Sequence, residues 1–104
     1  MKKIGVIGSG IVGEVLANGF LGFGYAVRRG TREPQKLADW LKGARGEAST
    51  GTFADTAAFA DIVVLAVKGT AAESAVRLCG PAHLAGKVVI DATNPTTSPH
   101  RMTG

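Results

Sequence analysis

An α/β fold on a doubly wound parallel sheet of about five strands, in spatial order 3-2-1-4-5, is what three features of this 104-residue sequence predict. Strand-like apolar runs alternate with segments of helical spacing along the chain. A glycine loop at residues 8–13 follows the first run directly and leads into the first helical segment. Residues 62–67 are an unbroken apolar run, as expected of a strand buried on both faces beneath helices. Strands joined by helices pair in parallel through right-handed crossovers.

Taken in order, residues 3–7 are the first strand, rich in β-branched residues. Val12, Val15, Leu16, Phe20 and Phe23 then recur at helical spacing, which predicts the first helix and its apolar face. Gly24 stops that helix, and residues 25–30 form the second strand. Pro34 suits the first turn of a helix running to about Lys42, with Leu37, Trp40 and Leu41 inward and Gly43 as its stop. Residues 47–49 are a short third strand. Thr52 and Asp55 have the spacing of a capping box, opening a helix to about Ala60. The fourth strand is residues 62–67. Thr70 and Glu73 repeat the box, and Gly80-Pro81 ends the helix it opens. Residues 87–92 are the fifth strand. Residues 1–95 thus form one domain, and residues 96–104 read as a polar tail without periodicity.

Bulk composition agrees. The chain is 45% hydrophobic and 19% charged, as in a folded globular protein. No apolar run approaches the ~20 residues that span a bilayer, so no membrane association is expected. The glycine loop interrupts the N-terminal apolar stretch and no cleavage site follows, so no signal peptide is expected and the location read is cytoplasmic. The single cysteine, Cys79, is read as a small buried residue. The net charge of +4 is not read as a nucleic-acid footprint, since basic and aromatic residues are not interleaved. One Cys and two isolated His offer no metal-ligand spacing. His83 and His100 have no partner motif, and Asp91 is read as a ligand for loop amides rather than as an acid or base.

The loop carries the chemistry. Gly8-Ser9-Gly10-Ile11-Val12-Gly13 matches G-x-G-x-x-G between a strand and a helix, the Rossmann-type dinucleotide turn. Gly8 permits the tight turn, Gly10 admits a pyrophosphate close to the backbone, and Gly13 lets the helix approach the strand. The free N–H groups and positive end of that helix then face the anion. In such a sheet, ligand lies at the carboxyl ends of the strands, where loops 8–13, 30–33, 67–70 and 93–95 fall.

The end of the second strand selects the dinucleotide. An NAD site holds Asp or Glu there, about 20 residues on, for the ribose 2′-OH. This chain has Thr31-Arg32-Glu33-Pro34-Gln35-Lys36. The Thr31 hydroxyl leaves room for a 2′-phosphate. Arg32 can pair with it through two bonds and stack on adenine, and Lys36 reaches it from one turn on. The expected cofactor is NADP(H). Glu33 is read as a helix-start charge or cap.

These residues resemble a known family, the NADP reductases dependent on the deazaflavin coenzyme F-420, with the related NADP domains of membrane metalloreductases. The resemblance rests on residues 4–10, on Gly30-Thr31-Arg32-Glu33-Pro34 with Lys36, on Ala66-Val67-Lys68, and on residues 89–95, which end Asp91-Ala92-Thr93-Asn94-Pro95. It covers nearly all of residues 1–95. The resemblance implies that residues 9–12 hold the pyrophosphate and that Thr31, Arg32 and Lys36 hold the 2′-phosphate. It also implies that Ala66, Val67 and Lys68 pass over the dinucleotide and that Asn94 and Pro95 lie near its ribose or nicotinamide half. The implied activity is hydride transfer between NADP(H) and a deazaflavin or flavin-like partner. A non-catalytic NADP-binding module or subunit is the alternative. Pyrroline-carboxylate reductases are a weaker resemblance.

Two departures stand out. Arg28 and Arg29 fall within the second strand, where relatives keep at least one apolar residue, and are expected to weaken or expose it. Relatives also run on for about as many residues again, so the chain is expected to be C-terminally truncated, the cofactor-binding half alone. The fifth strand would then leave Val88, Val89 and Ile90 on an open sheet edge, which predicts a homodimer or larger assembly.

Overall fold

The computed structural model describes residues 2–67 and 71–92. Five strands form one parallel sheet: β1 (Lys3–Ile7), β2 (Ala26–Gly30), β3 (Ala48–Gly51), β4 (Ile62–Leu65) and β5 (Val88–Asp91). Their order is β3-β2-β1-β4-β5, as the sequence predicts. Helices α1 (Ile11–Gly22), α2 (Ala38–Gly43), α3 (Phe53–Phe59), α4 (Ala72–Cys79) and α5 (Pro81–Leu84) connect them, with a 3-10 turn at Pro34–Leu37 leading into α2. The expected single helix from Pro34 is therefore a tight turn followed by a short helix. The α5 turn behind Pro81 was not anticipated.

Two apolar layers sandwich the sheet. Ile4, Val6, Val27 and Val64 face α1, where Ala17 packs and Trp40 closes the layer from α2. Ile7, Val63 and Leu65 face α3 and α4, against Phe53, Ala57, Ala75 and Cys79. The alternation of Val63 and Val64 between the layers is the period-2 geometry of a strand covered on both sides.

The helically spaced apolar residues of α1 do not all face the core. Leu16 and Phe20 pack inward, but Val12 is 49%, Val15 63% and Phe23 83% exposed. The fully buried positions of α1 are Gly13 and Ala17. Small side chains let this helix sit close over β1, so the contacting line is narrow and the flanking valines stay outside it.

The Thr52 box forms as expected. Its hydroxyl accepts from the Asp55 N–H at 3.1 Å, and the Asp55 carboxylate accepts in return from the Thr52 N–H at 3.4 Å. The second box depends on Thr70, outside the described residues. No helix among the described residues is long and apolar enough to cross a membrane.

Candidate functional site

The carboxyl ends of β1, β2 and β4 meet around one cleft of about 520 Å³. Its walls include Gly8, Ser9, Thr31, Arg32, Lys36 and Val67, all expected from the sequence, together with Phe53, Ala71 and Ala75, which were not. A second hollow of about 620 Å³ adjoins it through Thr31, Arg32 and Phe53 and extends to Ser74, Arg77 and Leu78 on α4. No periodicity in the sequence could have assigned the α3 and α4 residues, because they enter the site only through the crossover.

The glycine loop has a fixed backbone. The Gly8 N–H donates to the Gly30 carbonyl at 2.8 Å, tying the end of β1 to the end of β2. Gly8 has φ +130°, and a Cβ there would run into the Ala66 carbonyl. Only glycine fits. Gly10 differs: a Cβ there would meet nothing within 4 Å. The space in front of it is open, as a seat for a ligand must be. The Gly10 carbonyl accepts from the Glu14 N–H at 3.1 Å, so α1 starts at Ile11. Ile11 and Val12 are exposed on the first turn, where helix N–H groups have no intrahelical acceptor. Gly13 is buried below.

At the end of β2, Thr31 is 5% exposed. Its N–H donates to the Gly51 carbonyl at 3.1 Å, and its hydroxyl accepts from the Glu33 N–H at 3.3 Å. This local turn fixes the backbone of Arg32, whose side chain is exposed and has no partner among the described residues. Glu33 does not cap the turn with its side chain. Its carboxylate pairs instead with Lys36 at 3.0 Å, both groups being more than half exposed. Such a pair contributes little to stability and opens readily to a competing anion. Ala66 is buried, held by its N–H to the Ile7 carbonyl at 2.8 Å. Lys68, Asn94 and Pro95 lie outside the described residues, as does His100. His83, in the last turn of α5, lies 2.7 Å from the Cys79 carbonyl through Nδ1.

The two arginines of β2 do not expose it. Arg28 lies over the Phe59 ring at 4.5 Å and donates from Nε to the Ser49 hydroxyl at 3.0 Å. Arg29 is 1% exposed, the largest fully buried side chain described. It shares the α1 side of the sheet with Val27 and Val6, and its guanidinium lies over the Trp40 ring at 5.1 Å. The sequence carried a signal for this. Strand alternation puts Arg29 on the same face as Val27, directly below the glycine loop.

The sequence profile of the coenzyme F-420-dependent NADP oxidoreductases matches residues 3–95. The chain belongs to this family. A protein of Arthrobacter sp. FB24, described as a candidate F-420-dependent NADP reductase, is 36% identical with a TM-score of 0.84 over 91% of this chain and 46% of its own. The reductive aminase of Aspergillus terreus, solved with NADPH4, cyclohexanone and allyl amine, is 25% identical with a TM-score of 0.72, covering 90% of this chain and 32% of its own. Pyrroline carboxylate reductase of Plasmodium falciparum, with NADP bound, shares the fold: 22% identity and a TM-score of 0.65, over 86% of this chain and 32% of its own. The chain thus spans about half of the first of these proteins and a third of the other two. No curated protein matches it. At this level the family member is an NADP-binding oxidoreductase domain of Rossmann type.

Proposed function

We propose that residues 1–95 bind NADP(H) as the cofactor half of a cytoplasmic reductase that moves hydride between NADP(H) and a deazaflavin or flavin-like ring. One observation carries the cofactor choice. Where an NAD site needs a carboxylate, Thr31 stands buried in a turn, and Arg32 beside it is exposed and unpartnered among the described residues. In this reading residues 9–12 seat the pyrophosphate in the open space before Gly10, at the start of α1. Thr31, Arg32 and Lys36 take the 2′-phosphate, with Lys36 exchanging Glu33 for it. Ala66, Val67 and Lys68 cross the dinucleotide, and Asn94 and Pro95 border its nicotinamide half. Bound nicotinamide supplies or accepts the hydride; the protein's part is alignment and exclusion of water.

Titration of the wild-type chain and Arg32→Ala with NADPH and NADH tests this. NADPH should bind the wild type more tightly, and the variant should lose about ten- to hundredfold in NADPH affinity with NADH nearly unchanged. Equal wild-type affinities would refute it. Gly10→Val should abolish binding of both nucleotides while the fold survives, since the added side chain enters free space. Continued thermal stabilisation of that variant by NADPH would reduce the loop to a structural turn. Hydride transfer to a deazaflavin or flavin by the 104-residue chain should be poor, because alignment to about 3–3.5 Å needs a second wall for the acceptor ring. Loss of the nicotinamide absorbance at rates near 1–1000 per second would show that the chain completes its own active site.

A further inference from the structure

Arg29 is a buried cation in an otherwise apolar layer. Val6 and Val27 flank it on the same face of the sheet, and an apolar residue would pack there without desolvating a charge. Burial lowers its pKa from the ordinary arginine value, an effect that Glu14 partly offsets. It stays charged, since arginine does not deprotonate in proteins. Its Nε has no hydrogen-bond partner among the described residues. The packing therefore carries a cost that stability alone does not explain.

What Arg29 touches gives the reason. Its Nη2 donates to the Gly8 carbonyl at 3.1 Å and to the Gly10 carbonyl at 3.0 Å. These oxygens flank Ser9, at the centre of the loop. Uncompensated, they would present partial negative charge to any anion settling there. A Cβ on Gly13 would lie 3.1 Å from the same Nη2 and 3.1 Å from the Gly8 oxygen. The third glycine of the motif therefore makes room for this arginine as well as for the helix. The Trp40 ring also lies against the guanidinium, and its Nε1 donates to Asn18 of α1 at 2.9 Å. Loop, strand and two helices converge on one side chain.

We infer that Arg29 is a positioning residue for the nucleotide pyrophosphate. It ties down both loop carbonyls and places a fixed positive charge beneath the anion's seat, so that α1 meets the phosphate with its N–H groups in register. The inference rests on the assignment of residues 9–12 to the pyrophosphate. Arg29 acts from inside the sheet and is distinct from Arg32, which acts from the surface on the far phosphate.

The test compares two ligands on the full chain. NADPH uses both corners of the site. Adenosine 2′-monophosphate reaches only the Thr31 and Arg32 corner. Arg29→Met, apolar and close in length, should lose about tenfold or more in NADPH affinity while the monophosphate binds as to wild type. Arg29→Lys restores the charge and one donor and should recover most of the loss. In the nucleotide-free chain, the amide protons of Gly8, bonded to the Gly30 carbonyl at the end of β2, and of Glu14, bonded to the Gly10 carbonyl, should exchange about tenfold faster in Arg29→Met, with those of β4 unchanged. Equal losses for both ligands would mark Arg29 as merely structural and overturn the inference. So would undiminished NADPH affinity, no recovery by lysine, or unaltered exchange at Gly8 and Glu14. A wild-type chain that binds the monophosphate but not NADPH would instead overturn the pyrophosphate assignment, and the exchange rates would still decide whether Arg29 braces the loop.

Discussion

Strands β4 and β5 lie hydrogen-bonded side by side and share β-branched apolar residues at their first three rows, Ile62-Val63-Val64 against Val88-Val89-Ile90, before Leu65 faces Asp91. Val63, Val64 and Leu65 are buried to 5% exposure or less, whereas Val88, Val89 and Ile90 are 58%, 40% and 45% exposed. The difference is one of position. β4 has a strand on either side, β1 and β5, and packed layers on both faces. β5 has one strand neighbour in the described sheet. Burial, and with it the hydrophobic free energy, belongs to the place in the sheet and not to the residue type.

A charge placed at the same row of each strand should separate the two most strongly. Val64 and Ile90 are register partners on one face. Val64→Asp should unfold the domain, costing about 4–5 kcal/mol or more, comparable to the whole stability of a small fold. Ile90→Asp should cost about 1 kcal/mol. Urea unfolding of both variants measures the contrast, and similar losses would mean that β5 is covered in solution.

Assembly offers a smaller, sharper probe. An exposed apolar edge is a template for pairing with a second chain, so the chain should sediment as a dimer or larger species at micromolar concentration. Ile90→Lys should shift it to monomer. A stable wild-type monomer would remove the edge as an interface.

The smallest effect comes from the β4 side. Cys79 packs in the layer that covers Val63 and Leu65, and burial raises its pKa from 9.0 to about 11. The folded state therefore keeps its proton where the unfolded state has lost it. Stability from this group is full below pH 9 and declines as pH rises toward 11. Relative to Cys79→Ala, the wild type should lose ground across that window and not below it, as read by denaturant midpoints at each pH.

Local chemistry was the legible part of this molecule. Gly8 and the Thr52–Asp55 box are fixed by backbone conformation within a few residues, so the sequence alone shows them. The strand order follows from alternating elements and handed crossovers. The side that an element turns inward is set by its neighbours. Val12, Val15 and Phe23 have helical spacing yet point away from the core, because α1 touches the sheet through Gly13 and Ala17. The place of Arg29 is hidden in the sequence for the same reason: its polar partners are loop carbonyls 19 and 21 residues away. The cleft was half legible, with its β1 and β2 wall in the motifs and its α3 and α4 wall in the crossovers.

Trp40 is the only tryptophan of the chain, and its ring stands against the guanidinium that holds the glycine loop. The protein therefore carries an optical gauge of its own loop. Indole emission responds to a nearby cation and to its hydrogen bond with Asn18. Any shift of Arg29 as the loop tightens or loosens should register as a change in colour and lifetime, without a label being attached to the molecule.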